Sequence, residues 1–192
     1  MATIRNGPYL VIKRTQIYRN PWMSVHQDDV LAPDGASKLF GIIELGGGVA
    51  VLPMEEDGRV LLAREFKYAQ EAYTTEVFCG AIDAGETPLA AARRELAEES
   101  GIAASEWIAM GQVQPYTTII KSRGHLFIAR GLSRHPNPPK GDDDVEVVES
   151  NLDEAYAMVR SGQIIHAPSC LLILLAYLDW GAGVARRVAE KR

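Results

Sequence analysis

The sequence has only two cysteines in 192 residues, Cys79 and Cys170, and they form no CxxC pair. This scarcity excludes a disulfide framework and suggests no zinc site, and two free thiols fit a reducing compartment. Basic residues are outnumbered, 20 Lys+Arg against 25 Asp+Glu for a net charge of -5. No basic run is long enough to track a phosphate backbone, so nucleic acid is not an expected partner. Long apolar runs are missing too. The longest, LLILLAYL from Leu171, falls far short of the roughly 20 residues that cross a bilayer. The first ten residues, MATIRNGPYL, lack the charged-then-apolar order of a signal peptide. A soluble cytoplasmic protein with no membrane partner is expected. The four histidines, His26, His125, His135 and His166, show neither HxxxH nor HExxH spacing and read as structural or surface residues.

What is present is enough for a full core: 47% of the residues are hydrophobic, which at this length predicts one main domain with at most a small appendage. Residues 9–30 contain β-rich runs, APDGA supplies a hairpin turn, and LFGIIEL resumes the extended pattern. This marks residues 1–45 as a small antiparallel β unit and 46–192 as the main domain. In GGGVAVLPMEEDGRVLLAREF two apolar runs flank EEDG, predicting a hairpin built into a buried sheet. WIAMGQVQPY and GHLFIARGL read as further strands, NLDEAYAMVRSG as a helix stopped by Gly162, and a last apolar helix runs from about Pro168 to Trp180. The irregular alternation of strands and helices predicts an α/β fold with a mixed sheet between helices.

The stretch GAIDAGETPLAAARRELAEESGI, from Gly80, is the densest in chemistry. Thr87 can cap a helix that starts at Pro88, and Gly101 suits a left-handed C-cap. On this helix Glu95, Glu98 and Glu99 stand at i, i+3 and i+4, so their carboxylates share one face. A Glu-rich face is by default a solvated surface. Arg94 could pair with Glu98, for about 0.3–0.5 kcal/mol. A divalent cation would turn the repulsion into a binding site, because hard ions prefer carboxylate oxygens.

Gly80, Glu86, Arg94, Glu95, Leu96, Glu98, Glu99, Gly101 and Ile102 fill every specified place of G-x5-E-x7-R-E-U-x-E-E-x-G-U, with U aliphatic. The segment thus resembles the Nudix box. The resemblance implies a Nudix fold that binds Mg2+ (Mn2+ being possible) and hydrolyses a nucleoside diphosphate linked to another group. It implies that Glu95 and Glu99 are the main metal ligands with Glu98 close by, that Glu86 locks the loop by pairing with Arg94, and that Cys79 offers its backbone carbonyl to the metal. NPWMSVHQDDVLAPDG, GGGVAVLP, GRVLLAREFKYAQ and TEVFCGAIDAGE are similar to the corresponding stretches of ADP-ribose pyrophosphatases. That subfamily likeness implies ADP-ribose as substrate, giving AMP and ribose 5-phosphate, with another nucleotide sugar such as ADP-glucose or GDP-mannose, or a non-catalytic ligand-sensing module, as alternatives. It also implies a homodimer through the N-terminal strands, substrate contacts from Trp22, Arg64, Lys67 and Tyr68, and a catalytic base in the loop Asp142 to Asp144, with Asp143 preferred. The chain departs from the pattern at Lys67, where relatives carry Arg, at Cys79, where they carry Ala, and in QPYTTIIKSRG, which lacks a Ser-Pro-Gly motif.

Overall fold

The computed structural model describes residues 4–138 and 145–181. The chain separates into two compact units, the first comprising residues up to Gly47 together with Gln114–Arg123, and the second Gly48–Val113 with the chain from Gly124 onward. The first unit thus gains a segment that the sequence reading assigns to the main domain.

In the first unit, strands β1 (Ile4–Asn6), β2 (Tyr9–Arg19), β3 (Met23–Leu31) and β4 (Ser37–Leu45) form an antiparallel meander. APDGA turns β3 into β4 as expected, with the Gly35 N–H donating to the Ala32 carbonyl. The two-residue strand β10 (Ile120–Lys121) adds in parallel beside β4. Asp28 on β3, only 1% exposed, receives two 2.7 Å hydrogen bonds from the Arg14 guanidinium directly across on β2. A planar fork matched to a carboxylate supplies both bonds without strain.

The second unit begins with β5 (Gly48–Pro53), a continuous apolar run buried on both faces. It pairs antiparallel with β8 (Phe78–Ala81) and parallel with β11 (Gly124–Arg134), and β11 pairs antiparallel with β9 (Ile102–Val113), giving a mixed sheet. Successive side chains of a strand face opposite ways. Val49, Val51, Phe127 and Ala129 therefore pack toward helix α1 (Pro88–Ser100), with its Ala91, Ala92 and Leu96. Ala50, Leu52, Leu126 and Ile128 pack toward helices α2 (Leu152–Ser161) and α3 (Ala167–Ala176) on the other face. Each fully buried Leu or Phe of these layers contributes about 1.5–3 kcal/mol. The expected mixed sheet between helices is what forms.

Beside it lies an antiparallel sheet of β12 (Glu146–Asn151), β6 (Arg59–Lys67) and β7 (Ala72–Glu76). This corrects the EEDG reading. EEDG does turn the chain back, with the Glu55 N–H donating to the Arg59 carbonyl beside the antiparallel bridge Met54↔Val60, but the flanking runs, β5 and β6, then belong to different sheets. Pattern alone could not show this, because a run apolar on both faces does not reveal which neighbour it pairs with. The last helix is regular to Ala176 and then widens into a π turn over Tyr177–Gly181.

Arg14 holds the Asp28 carboxyl below its usual range through its hydrogen bonds. The pair therefore stabilises the fold above the ordinary carboxylate pKa, and that stabilisation is lost as pH falls through the depressed value. Asp28→Asn should cost on the order of 1 kcal/mol at neutral pH, the value of a charged hydrogen bond reduced by the partial exposure of Arg14. Thermal unfolding across pH checks this: the gap to the unmodified protein should close as pH drops below about 4. A gap independent of pH would contradict the assignment.

Candidate active site

Helix α1 forms as its sequence dictates. The Thr87 side chain accepts a hydrogen bond from the Ala90 N–H, Pro88 opens the first turn, and Gly101 closes the helix at φ 67°, a left-handed conformation suited to glycine. The helix also carries the carboxylates, with Glu95 over Gly80 of the edge strand β8, and Arg94 organises them. Its Nε and Nη2 donate to Glu86 at 3.1 and 2.9 Å, and Nη1 donates to Glu95 at 2.7 Å and Glu98 at 3.0 Å. Nη2 also donates to the Ala81 carbonyl at 2.8 Å, tying the loop before α1 to the helix. Glu86 in turn accepts from the Asp83 N–H at 3.1 Å.

The face is not the solvated surface expected of a Glu-rich helix. Glu95, Glu98 and Glu99 are all half-buried, and the Glu95 carboxylate lies so close over Gly80 that a Cβ there would fall 1.9 Å from its carboxyl carbon. Gly80 is therefore required by close approach. Burial raises the proton affinity of the Glu95 carboxyl, against the opposing pull of Arg94. Burial, followed by repulsion from Glu95 and Glu65, pushes Glu99 up to about 8. Glu86 goes the other way, held below its usual range by the Arg94 hydrogen bond.

The strands beneath supply a second group of polar residues. Glu76, at the end of β7 and 7% exposed, accepts from Thr74 Oγ1 at 2.8 Å and lies 3.8 Å from Lys67 Nζ. Lys67, at the end of β6, is also ion-paired with Glu65. Although burial opposes it, the Glu65 hydrogen bond and the charge of Glu76 hold the Lys67 ammonium above its usual pKa. Cys79 on β8 donates from Sγ to the Val77 carbonyl, and burial, then Glu76 and Glu99, raise its thiol well above the usual value. His166, just before α3, lies 3.1 Å from Glu76, 2.9 Å from Ser169 Oγ and 4.0 Å from Cys79 Sγ. Glu65, Glu76 and His166 escape a sequence reading because no fixed spacing links them.

The fold thus gathers Cys79, Gly80, Glu86, Arg94, Glu95, Glu98, Glu99 and Lys67. Arg64 falls on the other face of β6, where it donates to Glu146 at 2.9 Å and lies 4.8 Å above the Tyr73 ring. Tyr68 begins a short 3-10 turn after Lys67 and is 90% exposed. Trp22 belongs to the first unit and is 77% exposed. Asp142, Asp143 and Asp144 lie outside the described residues. The half-buried box oxygens, hard and anionic, suit a hard divalent cation of the Mg2+ type.

A carboxyl whose folded pKa lies near 8 stabilises the fold while protonated, and that contribution drains away as pH rises from about 4.5 to 8. Glu99→Gln removes the drain. In metal-free buffer the variant should melt above the unmodified protein at pH 8, by ~2–4 °C for each kcal/mol of repulsion relieved, with the difference vanishing near pH 4.5. Equal melting temperatures at both pH values would show that Glu99 is not crowded.

Residues 44–167 match the NUDIX domain, and residues 10–43 match the nucleoside diphosphate sugar hydrolase N-terminal domain. The chain is 28% identical over 164 residues to the ADP-ribose pyrophosphatase of Bacillus subtilis, covering 84% of this chain and 89% of the relative. It is 29% identical over 168 residues to the methanol dehydrogenase activator of Bacillus methanolicus, with the same shares of both chains. It is 29% identical over 148 residues to the GDP-mannose pyrophosphatase of Citrobacter koseri, covering 69% and 74%. The fold superposes on the crystal structure of an ADP compounds hydrolase with a TM-score of 0.80, 20% identity and coverage of 94% and 98%. A box helix whose carboxylates are laced by one arginine over a glycine, on a mixed sheet between helices, and a domain match spanning most of the chain agree: the protein belongs to the Nudix hydrolase family, with the N-terminal domain of nucleoside diphosphate sugar hydrolases.

Proposed function

We propose that the protein hydrolyses the diphosphate bond of a nucleoside diphosphate sugar, with ADP-ribose as first candidate and Mg2+ as the metal. The observation that carries this reading is the crowding of Glu95 and Glu99, both half-buried and both with raised proton affinity, on the face of α1 above Gly80. Carboxylates so placed are costly as free anions and are relieved by a divalent cation. Glu95 and Glu99, with Glu98 beside them and the Cys79 carbonyl, are the groups that would hold it. Mg2+ bound there supplies charge neutralisation of the diphosphate and lowers the pKa of water.

The chain's own residues do the rest. Arg94 and Glu86 fix the loop and the carboxylate face, so the ligand oxygens are preorganised before metal and substrate arrive. Lys67 places a positive charge among Glu65, Glu76 and Glu99, where it moderates the anionic field that a diphosphate meets. Being already ion-paired, and a point charge rather than a planar fork, it grips a phosphate less specifically than the arginine of relatives. This favours testing GDP-mannose and ADP-glucose beside ADP-ribose, and the GDP-mannose pyrophosphatase among the relatives supports the same choice.

The test is a panel of nucleoside diphosphate sugars with Mg2+, scored for nucleoside monophosphate release from the unmodified protein and from Glu99→Gln. ADP-ribose should be split to AMP and ribose 5-phosphate, and the variant should lose turnover by about 10²-fold or more, since it removes a metal-ligand charge. Turnover of Glu99→Gln near the unmodified level would overturn the metal assignment. Hydrolysis of GDP-mannose alone would keep the reaction class and change the substrate.

We also infer a homodimer formed through the first unit. It leaves Ile12 and Ile17 on β2, Leu39 on β4 and Trp22 in the bend before β3 exposed, apolar surface that a second copy would bury. Sedimentation at micromolar concentration should give twice the chain mass. A monomer there would refute it.

A further inference from the structure

We infer that Glu76, Cys79 and His166 form a binding site for a thiophilic divalent ion of the Zn2+ class, separate from the box carboxylates. Their donors converge from the end of β7, from β8 and from the residue before α3, and one oxygen, the sulfur and one ring nitrogen all lie within 4.8 Å of one another. Tetrahedral zinc, with bonds of about 2.3 Å to sulfur and 2.0–2.2 Å to nitrogen and oxygen, sets its ligand atoms roughly 3.3–3.6 Å apart. His166 Nδ1 lies 3.1 Å from Glu76 and 4.0 Å from Cys79 Sγ, and all three donors lie within 4.8 Å, so a closing of the Glu76 and Cys79 side chains by about 1 Å completes the site.

The hydrogen bonds around His166 support the same conclusion. Nδ1 faces the Glu76 carboxylate, Ser169 Oγ and Cys79 Sγ together. Ser169 Oγ is already an acceptor for the Val77 N–H at 3.0 Å. Nδ1 is a donor or an acceptor according to the tautomer, and in the acceptor form its lone pair points to the place where Glu76 and Cys79 also converge, the lone pair a metal would use. Thr74 Oγ1, donating to the Glu76 carboxylate, aims that ligand, as outer hydrogen bonds commonly do at metal sites. Cys79 and His166 are half-buried, and Glu76 is buried.

The mixed sulfur, nitrogen and oxygen set selects against Mg2+, which prefers all-oxygen shells, and for Zn2+ or Co2+. Binding breaks the Cys79 S–H bond and forms a metal–sulfur bond, and the proton passes to solvent. The site uses the thiol and imidazole, which the hydrolase reading does not require, so it stands or falls apart from that reading.

The test is a Co2+ titration of the chelator-treated full chain in excess Mg2+, followed by the near-ultraviolet thiolate-to-cobalt charge-transfer absorption. One equivalent should bind with that band, and Zn2+ should displace it. Cys79→Ser should abolish the band, His166→Gln should weaken Co2+ binding by about 10-fold or more, and Cys170→Ser should leave both unchanged. Circular dichroism establishes that each variant is folded. If Cys79→Ser does not fold, His166→Gln decides, and unchanged affinity in it overturns the site. No thiolate band in the unmodified chain, or a band that survives Cys79→Ser, would also overturn it.

Discussion

The guanidinium of Arg94 is the contact on which the rest of the site depends. It donates to Glu86, Glu95 and Glu98 and to the Ala81 carbonyl, so one side chain restrains both the loop before α1 and the carboxylates on it. Lysine could not replace it, because an ammonium is a single point with no planar array of five donors. Behind Arg94 the helix is anchored by Ala91, Ala92 and Leu96, packed against Val49, Val51 and Phe127 of the sheet. Apolar packing stops the helix from backing away while Arg94 stops the carboxylates from splaying. Neither restraint alone would keep Glu95 over Gly80.

Features encoded locally were legible in the sequence. The Thr87 cap, Pro88, the helix-forming run and Gly101 all act within a turn or two of themselves, and α1 begins and ends where they place it. The apolar run before EEDG and GHLFIARGL also form strands as expected, β5 and β11, because short apolar runs between turn residues suit a sheet covered on both faces. The EEDG turn forms, but the shared sheet expected on either side of it does not. Which strand a run pairs with depends on partners distant in sequence, and β6 finds β7 and β12 rather than β5.

Burial was the part of the site that could not be read. Glu95, Glu98 and Glu99 occupy the spacing of an ordinary solvated face, and only the approach of β8 and β6 turns that face inward. The same holds for His166, 87 residues from Cys79 in sequence yet 4.0 Å from it in space. Four histidines without ligand spacing read as structural or surface residues because spacing reports only contacts made within one element. Arg64 and Lys67, three residues apart on one strand, look like a matched pair of cations in sequence, but odd spacing sends them to opposite faces.

The charge around the site bears on the proposed reaction. Glu65, Glu76, Glu86, Glu95, Glu98 and Glu99 surround two cations, Arg94 and Lys67, and both cations are already engaged by carboxylates. A diphosphate carries further negative charge into this field and meets no unpaired cation among these groups. At the short separations of a half-buried site, where screening by water is weak, that repulsion exceeds what a few hydrogen bonds return. In the proposed reaction a divalent metal and the diphosphate would each reduce the charge that repels the other. The raised proton affinity of Glu99 expresses the same deficit in the free protein: lacking a cation, the cluster takes up a proton instead. For the proposed reaction, charge balance alone calls for a divalent cation in such a site, before any question of how the attacking water is activated.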